Sequence, residues 1–126
     1  MEDTTTKPVI TVPKGPPPTE LQVEDLVVGD GTEATAGVQV TVDYAGISWS
    51  SGREFDASWN RSDTFSFGLG AGQVIPGWDQ GVQGMKVGGR RRLTIPPSMA
   101  YGSQGAGGVI APNETLIFVV DLRSIG

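Results

Sequence analysis

Pro76-Gly77-Trp78-Asp79-Gln80-Gly81-Val82-Gln83-Gly84-Met85 is the one stretch of this chain that reads as a helix, and its isolation decides the fold. Trp78, Val82 and Met85 fall at i, i+4 and i+7, which is one face of a helix. Gly81 weakens that helix by roughly 1 kcal/mol relative to alanine, so the spacing predicts a short element held by packing. On both sides of it the period is two. Val38, Val40, Val42 and Tyr44 alternate with Gln39, Thr41 and Asp43, and Phe65, Phe67 and Leu69 alternate with Ser66 and Gly68. Leu21–Val28 closes on the turn cluster Gly29-Asp30-Gly31, and Leu93 and Ile95 mark a strand stopped by Pro96-Pro97. Leu116-Ile117-Phe118-Val119-Val120 is apolar on both faces and reads as a central strand. Several antiparallel strands and one short helix predict an α+β domain with the sheet covering the helix.

Composition excludes most chemistry. The 126 residues suffice for one domain, yet they include no histidine and no cysteine. That removes Ser-His-Asp and Cys-His catalysis, thiol redox chemistry, disulfides, and the imidazole or thiolate ligands of zinc sites. No D-x-D-x-D-G loop offers calcium a site, so neither metal nor cofactor is expected. With a net charge of −5, nucleic acid is not an expected partner. Arg90-Arg91-Arg92, the one basic run, has no interleaved aromatics and reads as the solvated edge of a strand.

No stretch approaches the 18 apolar residues of a membrane span. Met1-Glu2-Asp3 lacks the basic and apolar regions of a signal peptide, so a soluble, unprocessed, cytoplasmic monomer is expected. Residues 1–19, rich in Thr and Pro and ending in Pro16-Pro17-Pro18, predict an extended or partly disordered arm before a domain at 20–126.

Among special residues, six of nine aromatics are conspicuous by placement: Tyr44, Phe55, Phe65, Phe67, Trp78 and Tyr101. Core packing is the ordinary role of any one of them. Tyr101, however, sits in Ala100-Tyr101-Gly102-Ser103-Gln104-Gly105, where a loop exposes it, and Trp78 opens the helix. Gly68-Leu69-Gly70-Ala71-Gly72 lacks phosphate-loop spacing and reads as a strand-to-helix turn. Asn60-Arg61-Ser62 and Asn113-Glu114-Thr115 match the glycosylation pattern but are discounted as chance. Asp56, in Arg53-Glu54-Phe55-Asp56-Ala57-Ser58, reads as a loop residue. Neither it nor Asp79 has an evident partner for acid–base work.

Together the blocks resemble one family. Val42-Asp43-Tyr44-Ala45-Gly46, Gly52–Ser58, Phe65–Gly70, Val74–Val82, Met85-Lys86-Val87-Gly88, Ala100-Tyr101-Gly102, Ile110–Leu116 and Phe118 follow the order found in FKBP-type peptidyl-prolyl isomerases, over about residues 21–124. The resemblance implies a five- or six-stranded antiparallel sheet wrapped around one short helix. It implies that Trp78 floors a proline pocket, that Tyr44, Phe55, Phe67, Val74, Ile75 and Tyr101 wall it, and that Phe118 closes its back. Phe65 matches a position at the pocket's edge. Asp56 matches the acidic residue approached by polar ligand groups, the Tyr101 hydroxyl and the Ile75 N–H donate to ligand carbonyls, and Ala106 and Ile110 belong to the substrate-binding loop.

Two positions depart from the family. Ala106 stands where many members carry histidine or a bulkier residue, and Met99 stands where an aromatic is common. Both bear on substrate preference. The implied activity is rotation of X-Pro bonds in proline-containing polypeptides, with inhibition by macrolides such as rapamycin or tacrolimus. The alternative is a non-catalytic module that binds proline peptides or macrolides. A chaperone role fits less well, because family members that hold unfolded chains usually carry an inserted domain in the interval that is short here.

Overall fold

The computed structural model describes residues 4–126; Met1-Glu2-Asp3, read above for the lack of a signal peptide, lie outside the described residues. The strands are β1 (Gln22–Val27), β2 (Gln39–Ser48), β3 (Glu54–Ala57), β4 (Phe65–Gly68), β5 (Arg90–Ile95) and β6 (Leu116–Ile125), with α1 at Pro76–Gly81. All pairings are antiparallel, in the order β1-β5-β6-β2-β3, with β4 also on β2. The long β2 serves two partners along one edge. Gln39–Val42 pair with β4 and Ala45–Ile47 with β3. β6 lies between β5 and β2, as its two-sided apolar character requires.

The helix is shorter than the apolar spacing predicts, ending at Gly81, with Val82 as its C-cap. Trp78, Val82 and Met85 are nonetheless all buried in the core against Val42, Tyr44, Leu93, Ile95, Phe118 and Val120. Its glycines have a packing reason. A Cβ at Gly77 would come within 2.5 Å of Ile95, and one at Gly81 within 2.7 Å of Leu93. The helix lies so close on β5 that nothing larger fits, and the propensity lost at Gly81 is offset by this burial.

Two readings are corrected. Arg53–Ser58 is not a loop: Glu54–Ala57 form an edge strand whose polar, alternating residues hide its character. Nor is Arg90–Arg92 a solvated edge. β5 is flanked by β1 and β6, and Arg90 and Arg91 are buried. Strand alternation sends them to opposite faces. Arg91 points to the helix side, where Nη1 donates to the Gly81 and Gln83 carbonyls and Nε to Asp25. Arg90 meets its register partner Asp121 on the other face, donating from Nε at 2.6 Å and from Nη2 at 3.1 Å.

That outer face is covered as well. Ile47, Ile117 and Val119 alternate with core residues yet are buried. Residues 4–19 form neither helix nor strand, and the arm's first part is pinned to this face by arginines. Arg123 donates to the Thr4 carbonyl, Arg90 to that of Thr6 and Arg92 to that of Thr11. Pro8 is buried between these pins. No described helix is long and apolar enough to cross a membrane.

Candidate functional site: an aromatic pocket at the helix start

Antiparallel pairing of β2 with β6 and β4, and the packing of α1 on the concave face, converge aromatic rings from four elements. Trp78, the third residue of α1, is 4% exposed and forms the base. Tyr44 from β2 stands edge-on to its indole at a ring separation of 5.0 Å, and Phe118 from β6 does so at 5.2 Å. Phe65 from β4 stands edge-on at 6.1 Å and is 39% exposed, so it forms the rim rather than the wall. Edge-to-face contacts at such distances are the favoured geometry of aromatic pairs.

The resulting cavity holds about 210 Å³ and is lined by Tyr44, Asp56, Phe65, Gln73, Val74, Ile75, Trp78, Tyr101 and Phe118. It is smaller than the roughly 300–1,000 Å³ of pockets that enclose whole drug-sized ligands, and suits a single compact apolar ring with the rest of its ligand outside. Among the described residues no group of three or more carboxylates gathers to hold a metal ion.

Of the twelve residues singled out in the sequence, eight line this cavity. The other four do not. Phe67 is 2% exposed and sits behind Phe65 and Trp78, with ring separations of 5.7 and 5.6 Å. Phe55 packs edge-on to Phe118 at 5.4 Å from the far side. Ala106 and Ile110 exchange main-chain hydrogen bonds across a tight turn and line, together with Phe55, a neighbouring open groove. Phe67 and Phe55 therefore fix the rings that line the cavity, whereas the resemblance put them on its walls.

Two residues of the site escaped the sequence reading. Gln73 lines the cavity, its Oε1 accepting from the Gly68 N–H at 2.8 Å, and nothing in its residue type marks it. Arg61 had a signal: a cation five residues after the conspicuous Asp56. Its triplet drew notice only as a glycosylation pattern. In the structure a single 3₁₀ turn, Ser58–Arg61, swings it back over the site. Ser58 fixes that turn: its buried hydroxyl donates to Asp43 and accepts from the Tyr44 N–H, both at 2.8 Å.

Asp56, Arg61 and Tyr44 form a closed ring of hydrogen bonds. The Tyr44 hydroxyl donates to Asp56 Oδ2 at 2.5 Å. Arg61 donates from Nη1 to Asp56 Oδ1 at 2.6 Å and from Nη2 to the Tyr44 oxygen at 2.9 Å. Burial pushes the Asp56 carboxyl up, but the hydrogen bonds from Tyr44 and Arg61 and the Arg61 charge outweigh it, so the group stays below the usual carboxylate range. Burial, seconded by the bond to Asp56, raises the Tyr44 phenol. Burial and the same negative charge raise Tyr101. At neutral pH the site therefore holds a fixed carboxylate and two neutral phenols.

Asp79, also left without a partner by the sequence, turns outward. Its carboxylate accepts from the Gly70 and Gly72 N–H groups at 2.9 Å each and fastens the turn from β4 into α1. That turn sets where Val74 and Ile75 stand at the pocket.

Known proteins share this chain's sequence and fold. Residues 31–123 match the model of the FKBP-type peptidyl-prolyl cis-trans isomerase family. An FK506-binding protein of Streptomyces anulatus is 60% identical over 120 residues, covering 94% of this chain and 97% of its own. One from Neisseria meningitidis is 52% identical over 106 residues, covering 83% of this chain and 95% of its own. Among solved structures, AtFKBP13 superposes with a TM-score of 0.77 at 38% identity, over 84% of this chain and 93% of its own. FkpA from Escherichia coli does so at 0.76 and 40%, over 83% of this chain and 47% of its own. On the family match and these identities, this chain belongs to the FKBP-type peptidyl-prolyl cis-trans isomerase family.

Proposed function

We propose that this protein accelerates cis–trans rotation of X-Pro bonds in polypeptides by seating the proline ring in the Trp78 pocket. The observation that carries the reading is the electrostatic character of that pocket. Its base and sides are aromatic and aliphatic, its one carboxylate is already engaged by Arg61 and Tyr44, and the Gln73 carbonyl oxygen already accepts from the Gly68 N–H.

The barrier to amide rotation is about 18–20 kcal/mol and arises from resonance. Uncatalysed X-Pro isomerisation therefore takes tens to hundreds of seconds. The planar amide is charge-separated, whereas the twisted transition state is less so. Moving the bond from water into an apolar cavity thus costs the planar form more than the twisted one. That preference is differential, as catalysis requires, and each tenfold in rate takes only about 1.4 kcal/mol of it.

The chain supplies positioning besides. Trp78, Tyr44 and Phe118 hold the proline ring while the preceding carbonyl turns. The Ile75 N–H belongs to the N-cap residue of α1, outside the helix's own hydrogen bonds, and is available to a flanking ligand carbonyl. The half-exposed Tyr101 hydroxyl serves a second carbonyl at the rim. Asp56 orients and makes polar contact; it carries no proton. No nucleophile, base or metal is called for. That its relatives are FK506-binding proteins supports the expectation that a macrolide occupies the same cavity.

The test is exchange NMR of a short X-Pro peptide with an apolar residue before proline, with and without rapamycin. The expected result is acceleration that the macrolide abolishes. Tight macrolide binding without acceleration leaves a binding module. A folded sample with neither contradicts the site assignment.

A further inference from the structure

The arm outside the matched family region bonds to the segment that carries part of the site. Lys7 Nζ lies 2.8 Å from Glu54 Oε1 and donates to Glu54 Oε2 at 3.0 Å and to Asn60 Oδ1 at 2.9 Å. Asn60 Nδ2 closes the triangle on Glu54 Oε2 at 2.9 Å. Glu54 opens β3, two residues before Asp56, and Asn60 immediately precedes Arg61. The triangle thus ties together the two ends of the segment 54–60, which carries Phe55 and Asp56 and leads directly into Arg61.

Beyond the triangle, that segment is held by the Ser58 hydroxyl, by the Asp56–Arg61–Tyr44 ring and by a short pairing with β2. β3 is a four-residue edge strand paired on one side only, across a register shift at Gly46/Ile47. Short edge elements occupy the low end of local stability. Lys7 itself is not free to wander, because the chain beside it is pinned by Arg123 at Thr4 and by Arg90 at Thr6 and is buried at Pro8. We propose that Lys7 is a positioning residue for the isomerase site, holding Asp56 and Arg61 in register through Glu54 and Asn60 from the opposite face of the sheet. The proposal rests on the function argued above. It adds a residue that touches neither pocket nor substrate.

The experiment compares full-length wild type with Lys7→Met, Lys7→Arg and, as a charge control on the same arm, Lys14→Met. Three quantities are read: kcat/KM on the X-Pro peptide, Tm, and the Arg61 guanidinium NMR signals. Because the Lys7 and Glu54 side chains are about one-third exposed, the effect is modest. Lys7→Met lowers kcat/KM by about two- to fivefold, Lys7→Arg restores most of it, and Lys14→Met matches wild type. The Arg61 Nη signals, separate in wild type because both nitrogens are hydrogen-bonded, broaden or merge in Lys7→Met.

Wild-type kcat/KM and unchanged Arg61 signals in Lys7→Met overturn the proposal. So does a loss that tracks Tm and is not rescued by Lys7→Arg, because that marks a purely structural role. A wild type without isomerase activity removes the functional reading instead, and the Arg61 signals then decide the clamp on their own.

Discussion

Two arginine–aspartate pairs sit on opposite faces of the same sheet, and they differ in almost everything but composition. Arg90 and Asp121 face each other across β5 and β6, their side chains 2% and 0% exposed. Arg61 and Asp56 stand at the pocket mouth, 50% and 41% exposed. In the first pair burial pushes the Asp121 carboxyl up, against the opposing pull of Arg90. In the second, hydrogen bonds from Tyr44 and Arg61 overcome a weaker desolvation and draw Asp56 down. A buried pair locks the fold because either partner alone is intolerable there. An exposed pair contributes little to stability and leaves a carboxylate held in one orientation where a ligand arrives. The same two residue types thus supply rigidity on one face and a polar landmark on the other.

The largest effect that separates them is on stability. Arg90→Met strands a buried carboxylate and lowers unfolding free energy by about 3–5 kcal/mol in urea titration, while Arg90→Met/Asp121→Leu recovers most of the loss. A loss below about 1 kcal/mol would erase the distinction between the pairs. Arg61→Met, by contrast, leaves the urea midpoint nearly unchanged. It lowers kcat/KM by about three- to tenfold, because Asp56 keeps its charge but loses the partner that aims it.

Asp56→Asn is milder, within about threefold of wild type, since the amide still meets Tyr44 and Arg61 and no proton transfer is asked of it. Complete loss of activity in a folded Asp56→Asn protein would contradict that role. The finest contrast is in titration. Carboxyl carbon NMR shifts should give Asp56 a midpoint below the ordinary aspartate value and Asp121 one above it.

The consequences for stability have opposite signs. The Asp56 contribution is full above the unfolded-state midpoint and is lost as pH falls through the lower folded one. Folded Asp121 instead keeps a proton that the unfolded chain has released, so its contribution declines as pH rises from the unfolded midpoint to the higher folded one. Both midpoints on the same side of the ordinary value would break the contrast.

Much of this was legible beforehand. The alternation of Val40, Val42 and Tyr44, the two-sided apolar run at 116–120 and the spacing of Trp78, Val82 and Met85 all report burial on one face, which is what sequence period encodes. What stayed hidden depends on contacts distant in the chain. β3 looked like a loop because it is an edge strand of only four residues, two of them the acidic Glu54 and Asp56. Arg90 and Arg91 looked solvated because their partners, Asp121, Asp25 and the carbonyls of Thr6, Gly81 and Gln83, lie 8 to 84 residues away. The blocks of the pocket were readable as family motifs. Whether a ring lines the cavity, as Trp78 and Phe118 do, or braces one that does, as Phe67 and Phe55 do, is decided by tilts of a few ångströms that no residue pattern records. Arg61 returns to the site through a single 3₁₀ turn whose anchor, Ser58, is an ordinary polar residue in sequence.

The central claim is that the pocket works by desolvation and positioning, with Asp56 a fixed charge rather than a proton carrier. The most direct measurement is the pH and solvent-isotope dependence of kcat/KM on an X-Pro peptide. The account predicts a flat profile through neutral pH, where the carboxylate and phenols of the site do not titrate, and nearly equal rates in H₂O and D₂O. A bell-shaped profile, or a clear slowing in D₂O, would show a proton in flight and contradict it.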